Sequence, residues 1–311
     1  MTTAAATCPR CQRTFDAGSQ FCPFDGDALT EVALADGRGD RYLGTTLLGL
    51  FHLRAVAGRG ENGTVYRAWQ LGIERPVAVK ILHAELLGNR SVVRRFLREA
   101  RAVARLDHPG IVTVHVLGQT PDGAPFIAME YVDGPSLEQR LEELVPLPLA
   151  QALRIGHLIA DALAEAHAAS VVHRDLKPAN VLLAHRRGDG AEAIKLVDFG
   201  IAKVLGHTVI GHAGDSRGTS TGGVFGTPHY ISPEQAAGDP VDTRADIYSV
   251  GVMLYRMVTG QVPFDGSAVA VLLAHLSRPP TPPHELVPSL PLAVSQLILA
   301  CMAKKPAGRP Q

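Results

Sequence analysis

The sequence lacks a long apolar run and an excess of charge of either sign. Its 311 residues contain 30 Lys and Arg against 30 Asp and Glu, so the formal net charge is zero. No apolar stretch reaches about 18 residues, the length that marks a membrane-spanning helix. The N-terminus has no basic region followed by an apolar core, so no secretory signal is evident. These absences predict a cytoplasmic protein without a membrane span, and they argue against nucleic acid or an anionic membrane as its main partner.

Cysteine is also scarce, with four copies, and three of them lie within the first 22 residues. Cys8-Pro-Arg-Cys11 is echoed by Cys22-Pro-Phe-Asp25, with ten residues between Cys11 and Cys22. Tight turns of this kind aim two ligands at one zinc ion, and two turns complete a tetrahedron. The spacing predicts a zinc-ribbon-like module over residues 1–26 that holds one Zn²⁺ weakly, because a carboxylate is a harder ligand than a thiolate. A decayed knuckle without metal is the alternative.

The rest of the chain divides into three stretches by composition and periodicity. Residues 27–45 are rich in Gly, Asp and Ala without sustained periodicity, which predicts a flexible linker. After it, the apolar residues alternate as in strands in five segments, namely 51–57, 63–69, 76–82, 111–117 and 125–132. Helical spacing occurs at 91–106, and after Gly134 the pattern becomes mainly helical, most clearly at 150–168.

Five short motifs follow one another in a fixed order. Residues 173–180 read His-Arg-Asp-Leu-Lys-Pro-Ala-Asn, which places a proton acceptor, a phosphate-binding lysine and a metal-binding amide on one loop. Upstream lie Gly58-Arg-Gly-Glu-Asn-Gly-Thr-Val65 and Val77-Ala-Val-Lys80, and downstream lie Asp198-Phe-Gly200 and Ser232-Pro-Glu234. This is the signature set of protein kinases. From about residue 45 onward, the chain resembles a bacterial serine/threonine protein kinase of the eukaryotic-like, Hanks type.

The resemblance implies an α+β, two-lobed protein kinase fold over residues 46–311. The small lobe, 46–132, would hold a five-stranded antiparallel sheet and one main helix, and the large lobe, 133–311, would be mainly helical. Related kinases continue into one further helix past the position of Gln311. The resemblance therefore implies either a longer native protein, with which membrane tethering is compatible, or apolar surface left uncovered near Cys301.

Four residues carry the expected chemistry by resemblance. Asp175 would accept or orient the proton of a substrate hydroxyl, and Lys177 would neutralise charge on the transferring phosphoryl group. Asn180 and Asp198 would hold Mg²⁺ or Mn²⁺. Their joint presence favours an active enzyme that uses ATP on protein substrates with serine or threonine acceptors. A nucleotide-binding pseudokinase that acts as a signalling scaffold is the alternative.

Further residues would bind ATP. Lys80 would contact the α- and β-phosphates and be held by Glu99 on the following helix. The nucleotide would lie between a glycine loop and an apolar pocket, for which the resemblance implies Gly58, Gly60, Gly63, Val65, Ala78, Met129, Glu130, Val132 and Leu182.

The resemblance also implies support and regulation. Asp246 would brace the catalytic loop, Glu234 would pair with Arg309, and Thr227 would shape the acceptor site. Arg174 marks a kinase switched by phosphorylation of the segment 198–234, with Thr221 and then Thr219 as the expected sites. A transient homodimer would carry out this autophosphorylation.

Overall fold

The structure is a computed structural model that describes residues 40–60, 62–185, 192–199 and 228–310, together with three short strands before them. These strands are β1 (Ala6–Thr7), β2 (Thr14–Phe15) and β3 (Thr30–Glu31), and they pair antiparallel in the order β2-β1-β3. The third strand falls inside the stretch predicted as a linker. The four predicted zinc ligands, Cys8, Cys11, Cys22 and Asp25, lie outside the described residues.

The small lobe is built on one antiparallel sheet of six strands. They are β4 (Thr46–Leu47), β5 (Phe51–Arg59), β6 (Gly63–Gln70), β7 (Arg75–Leu82), β8 (Val114–Gln119) and β9 (Pro125–Glu130), in the order β4-β5-β6-β7-β9-β8. The five predicted strands are present, and β4 adds a short edge. Val114 starts β8 three residues later than predicted, because Ile111 instead forms a parallel bridge with Leu196 of the large lobe.

One main helix, α1 (Arg90–Val103), packs against this sheet. It begins at Asn89, whose side chain accepts hydrogen bonds from the backbone N–H groups of Ser91 and Val92 at 3.1 and 3.4 Å. Such a cap satisfies amides that have no partner in the first helical turn. The inner face of α1 buries Phe96 and Ala100 in a cluster shared with β7 and β9.

Nine further helices and strands lie in the described part of the large lobe. They are α2 (Leu137–Glu143), α3 (Leu149–Ala168), β10 (Val181–His185), β11 (Glu192–Leu196), α4 (Pro233–Ala237), α5 (Arg244–Thr259), α6 (Ala268–Ser277), α7 (Pro283–Leu286) and α8 (Leu292–Cys301). Helix α5 is central, because it contacts both α3 and α8. Gly251 permits the approach to α8, since a Cβ there would come within 2.7 Å of the Cys301 Cβ. The mainly helical large lobe agrees with the prediction.

The predicted flexible linker extends too far at its C-terminal end. Asp40 accepts hydrogen bonds from the Tyr66 hydroxyl at 2.9 and 3.0 Å, and its side chain is paired with Arg59 at 3.1 Å. The Tyr42 hydroxyl donates to Asp122 at 2.9 Å. Polar side chains that looked like linker composition therefore attach residues 40–45 to the small lobe. Within the described ranges, no helix has both the length and the hydropathy needed to cross a membrane.

Candidate active site

Asp246, near the start of α5, holds the backbone of the loop 173–180. Its carboxylate accepts hydrogen bonds from the N–H groups of His173 and Arg174 at 2.8 and 2.9 Å, and His167 Nε2 lies 2.8 Å from Oδ2. Arg174 has φ of 62°, in the left-handed region that residues other than glycine rarely adopt. Asp246 is 1% exposed, so these charge-assisted bonds form away from water and stabilise the strained turn.

His173 links this loop to the segment after β11 that carries Asp198. Its ring is fully buried, its Nε2 lies 3.1 Å from the carbonyl of Val197, and it stacks on Phe199 with ring centroids 4.6 Å apart. Burial lowers the pKa of His173, although the Asp246 carboxylate opposes the shift. A neutral imidazole that donates from Nε2 to the Val197 carbonyl fits these contacts. The two sequence motifs are thereby held side by side.

Three of the predicted catalytic groups meet on this loop. Lys177 Nζ lies 3.0 Å from Asp175 Oδ2. Asn180 Nδ2 donates to the backbone carbonyl of Asp175 at 2.7 Å and approaches its Oδ2 at 3.3 Å. Since the amide nitrogen of Asn180 is used in this way, its amide oxygen is the atom that can face a cation. The loop presents a carboxylate, an ammonium and a neutral oxygen donor at one place.

Lys80 contacts a different carboxylate from the one predicted. Its Nζ lies 2.8 Å from Asp198 Oδ1, and its side chain is 8% exposed. It forms no ion pair with Glu99, so the predicted Lys80–Glu99 pair is wrong for this structure. Asp198 has φ of 58°, and its carboxylate satisfies the buried ammonium in the place of Glu99.

Glu99, on α1, has a carboxylate that is partly removed from water. Its Oε2 atom is buried, and no described residue forms a hydrogen bond with it. Burial raises the pKa of Glu99 to about 7, although the charges of Arg95 and Arg174 oppose the shift. A carboxylate costs free energy when it is removed from water. Glu99 is therefore poised to gain from any movement that brings it a cation.

The three glycines of the predicted phosphate loop, at the end of β5, between the strands and at the start of β6, serve different purposes. A Cβ at Gly63 would lie 2.3 Å from the backbone oxygen of Ile81, so the pairing of β6 with β7 itself requires glycine there. Gly58 has nothing within 4 Å of an added Cβ, and Gly60 has only an ordinary contact at 3.6 Å. Protein packing does not require glycine at these two exposed positions. Close approach of a ligand phosphate to the backbone would require glycine at Gly58 and Gly60.

The predicted adenine pocket consists of apolar residues at the edge of the core. Val65, Ala78 and Leu182 are only partly buried, although each lies in a strand whose neighbouring residues are buried. Met129 is 7% exposed and belongs to the same cluster that receives Ala78. Partly exposed apolar side chains on facing strands of the two lobes are what a flat aromatic base would cover.

Past Met129, the chain leaves the sheet and connects the lobes. The N–H of Glu130 donates to the carbonyl of Thr113 at 2.9 Å, so a base could use only the carbonyl of Glu130. The Glu130 carboxylate is paired with Lys195 at 2.7 Å. Val132 makes no backbone hydrogen bond with another described residue, which leaves both its N–H and its carbonyl for a ligand.

Below the site, Arg309 clamps the start of α4. Its two terminal nitrogens donate to the two carboxylate oxygens of Glu234, each at 2.7 Å, and the two side chains are 0% and 7% exposed. Arg309 also donates to the carbonyls of Arg244, Ala303 and Lys304. The pair that the sequence predicts is thus formed deep inside the large lobe.

Sequence reasoning missed Gln235. Its Nε2 donates to the backbone carbonyl of Arg174 at 2.7 Å, while its backbone N–H is capped by Ser232. The signal that could have identified Gln235 is its position directly after the Ser232-Pro-Glu234 motif. Arg174 itself has a buried Nε atom with no partner among the described residues. The predicted phosphosites Thr219 and Thr221, and the predicted acceptor-site residue Thr227, lie outside the described residues.

Comparisons with known proteins agree with this geometry. A protein-family model described as the protein kinase domain matches residues 51–311. The chain is 43% identical over 274 residues to serine/threonine-protein kinase pkn3 of Myxococcus xanthus, and the match covers 87% of this chain and 49% of that protein. It is 39% identical over 268 residues to serine/threonine-protein kinase PrkC of Bacillus subtilis, covering 86% of this chain and 39% of PrkC.

Solved structures show the same fold. The PknI kinase domain of Mycobacterium tuberculosis superposes with a TM-score of 0.66 at 32% identity, and the match covers 86% of this chain and 93% of the PknI chain. The matched region spans about half the length of pkn3 and less than half of PrkC. It spans nearly all of the solved PknI kinase domain.

Proposed function

Because this chain belongs to the protein kinase family, we propose that it is an active serine/threonine protein kinase, which transfers the γ-phosphoryl group of ATP to serine and threonine hydroxyls of proteins. One observation carries this proposal. Lys177 and Asn180 both contact Asp175, on a loop that Asp246 holds in place. A chain that had lost catalysis would have no need to keep this arrangement of acid, base and amide.

In the proposed reaction, Asp175 orients the acceptor hydroxyl and takes up its proton as the oxygen bonds to the γ-phosphorus. The bond from that phosphorus to the β–γ bridging oxygen breaks, and ADP leaves with the electron pair. Lys177, 3.0 Å from Asp175, neutralises negative charge on the group in transfer. Its place two residues after Asp175 is typical of kinases that act on serine and threonine.

The oxygen donors present suit a hard divalent cation. Asp198 is one-third exposed and supplies a carboxylate, and Asn180 supplies an amide oxygen. Mg²⁺ and Mn²⁺ prefer oxygen ligands of this type. When bound, the cation would neutralise charge on the phosphate oxygens. Asp198 would then leave Lys80 for the cation, and Lys80 would become available to the α- and β-phosphates.

Transfer of labelled phosphate tests the proposal. The full chain, incubated with γ-labelled ATP and magnesium, should label itself or a generic basic protein on serine and threonine. Phosphoamino-acid analysis identifies the acceptor. A chain that binds ATP with magnesium but transfers no phosphate would instead be a pseudokinase scaffold, and the proposal would be rejected.

We further propose that phosphorylation of Thr221, and secondarily Thr219, activates the enzyme through a transient homodimer. Two features support this. The Arg174 Nε atom and the Glu99 Oε2 atom are both buried without a hydrogen-bond partner among the described residues. A phosphate adds about −1.5 to −2 charges and three acceptor oxygens. It would pair with Arg174 and order the segment that ends at Glu234, so that α1 can bring Glu99 to Lys80.

Replacing both Thr219 and Thr221 with alanine should lower activity at least about tenfold, the effect of one charge-assisted hydrogen bond. Phosphopeptide mapping of the active enzyme should find phosphate at these threonines. A variant with alanine at Ser216 and Ser220 is the matched control and should retain activity. If both threonines are unmodified in active enzyme, or if the double alanine variant is fully active, another residue is the switch.

We also propose that residues 1–26 form a zinc-ribbon-like module with Cys8, Cys11, Cys22 and Asp25 as ligands. The support is the repeated turn spacing of the sequence. The linker would be shorter than predicted, ending near Asp40, and the kinase domain, predicted over residues 46–311, would also include residues 40–45. We place the protein in the cytoplasm, where ATP and magnesium are abundant.

Elemental analysis of anaerobically purified protein should find one zinc ion per chain. A structural zinc ion can contribute on the order of 10 kcal/mol to a small domain, so a chelator should unfold residues 8–26 and leave phosphoryl transfer intact. Asp25→Ala should bind zinc more weakly, whereas Asp27→Ala should not. Absence of zinc would contradict the proposed module, and unchanged affinity in Asp25→Ala would point to a different fourth ligand.

A further inference from the structure

Helix α1 carries four exposed arginines on one side. Arg90, Arg94, Arg98 and Arg101, here called the arginine face, are all exposed, and none forms a salt bridge with a described residue. At 3.6 residues per turn, the four positions fall within an arc of about 80°. Three of them border a surface groove of about 580 Å³. The face is strongly positive on a chain whose formal net charge is zero.

This face is unfavourable for the helix that bears it. Like charges spaced three or four residues apart repel one another along a helix. The first turn of α1 contains no acidic residue, and Arg90 occupies the first helical position, where the helix dipole disfavours a cation. The acidic residue of the helix, Glu99, points away from the face into the lobe. A negatively charged segment laid along the arginine face would relieve both kinds of repulsion.

The chain itself contains a segment of the complementary charge. Residues 14–37 include five acidic side chains and no lysine or arginine, a net charge of −5 over 24 residues. The acidic positions are Asp16, Asp25, Asp27, Glu31 and Asp36. A segment so acidic, placed next in sequence to a lobe with an unpaired basic face, has an electrostatic reason to stay close to it.

The attachment of this segment lies beside the start of α1. Asp40 is held by Tyr66 and Arg59, and it lines the same groove, of about 640 Å³, as His83 and Glu85. Glu85 precedes Arg90 by only five residues. The stretch from residue 37 to residue 40 can span about 10 Å when extended, so the acidic segment starts within reach of the N-terminal end of α1.

We propose that residues 14–37 dock in cis on the arginine face of α1. The side chains of Asp16, Asp27, Glu31 and Asp36 pair with the arginine face, and the segment covers the outer side of the helix. Docking fixes the position of α1 from outside, on the side opposite Glu99. The contact is electrostatic and exposed, so added salt weakens it.

Hydrogen exchange of the full chain, measured by mass spectrometry on peptides from α1, tests the proposal. The variant D16N/D27N/E31Q/D36N removes four acidic charges and leaves Asp25 in place. Exposed ion pairs contribute a factor of roughly 1.4 to 5 each, so the α1 amides should exchange about tenfold faster in this variant. The matched control E142Q/E143Q/E165Q/E285Q removes four exposed charges from the large lobe and should leave the exchange of α1 unchanged.

Charge reversal distinguishes pairing from a general loss of stability. R90E/R94E/R98E/R101E and D16K/D27K/E31K/D36K should each lose protection of α1, and the two sets combined should regain it. Equal exchange in wild type and D16N/D27N/E31Q/D36N would overturn the proposal, and so would a combined variant that stays unprotected. If a ten-residue glutamate peptide protects α1 equally in both proteins, the face serves a separate acidic partner instead. The assay does not depend on phosphoryl transfer and can be repeated with Asp175→Asn.

Discussion

Replacing Asp175 with asparagine should lower the rate of phosphoryl transfer by about 10²- to 10⁴-fold and leave the fold intact. Asparagine has nearly the shape of aspartate, but it cannot take up the hydroxyl proton and it loses the ion pair with Lys177 at 3.0 Å. Single-turnover transfer of labelled phosphate measures the effect, and circular dichroism checks the fold. Lys80→Met should abolish transfer for a separate reason, because it removes the cation that meets the phosphates.

The matched control is Asp239→Asn, which makes the same chemical change at an exposed position of the large lobe. It should transfer phosphate at the wild-type rate. If Asp175→Asn or Lys80→Met kept a tenth of wild-type turnover, the role assigned to that residue would be wrong. Circular dichroism unlike that of the wild type would show that the loss came from unfolding, and Asp175→Glu would then be the variant to measure.

Arg309→Met should destabilise the large lobe by about 3–5 kcal/mol, the usual effect of removing one partner from a buried ion pair. Methionine approximates the volume of the arginine stem but leaves the Glu234 carboxylate, 7% exposed, without its two hydrogen bonds at 2.7 Å. Urea denaturation, monitored by far-ultraviolet circular dichroism, measures the free energy of unfolding. The double variant with Glu234→Gln should recover part of the loss, because no charge is then left buried.

Arg244→Met provides the surface comparison. Arg244 is paired with Asp242, but both side chains are about one-third or more exposed, so this change should cost about 1 kcal/mol or less. A similar small loss for Arg309→Met would mean that Glu234 finds water or another partner, and the clamp described here would have little energetic weight.

The order of the motifs was sufficient to locate the catalytic loop and the two lobes. Asp175, Lys177 and Asn180 lie on a single short loop, so their proximity follows from chain connectivity alone. The partner of Lys80 did not follow in this way. Two carboxylates, Glu99 and Asp198, come from different elements, and the choice between them depends on the position of α1, which local sequence does not encode.

The structural roles of several glycine and polar residues were also difficult to predict from sequence. The pattern of Gly58, Gly60 and Gly63 suggested contact with phosphate at all three positions, yet Gly63 is required by the carbonyl of Ile81 across the sheet. Asp40 looked like linker composition, because its partner Tyr66 lies 26 positions away. Gln235 was missed for the same reason, since its bond to the Arg174 carbonyl spans 61 positions. Periodicity reports which face is buried, but not which distant backbone group a polar side chain reaches.

The ion pair between Glu234 and Arg309 has a consequence for co-translational folding of the protein. The two residues are 75 positions apart. At about 5–20 residues per second, Glu234 is synthesised roughly 4 to 15 s before its partner. During that interval the Glu234 carboxylate cannot be buried with its counter-ion. The start of α4 and the contact of Gln235 with the catalytic loop therefore cannot form until Arg309 has been synthesised. A nascent chain would thus complete its candidate active site late, after the small lobe has emerged and had time to fold.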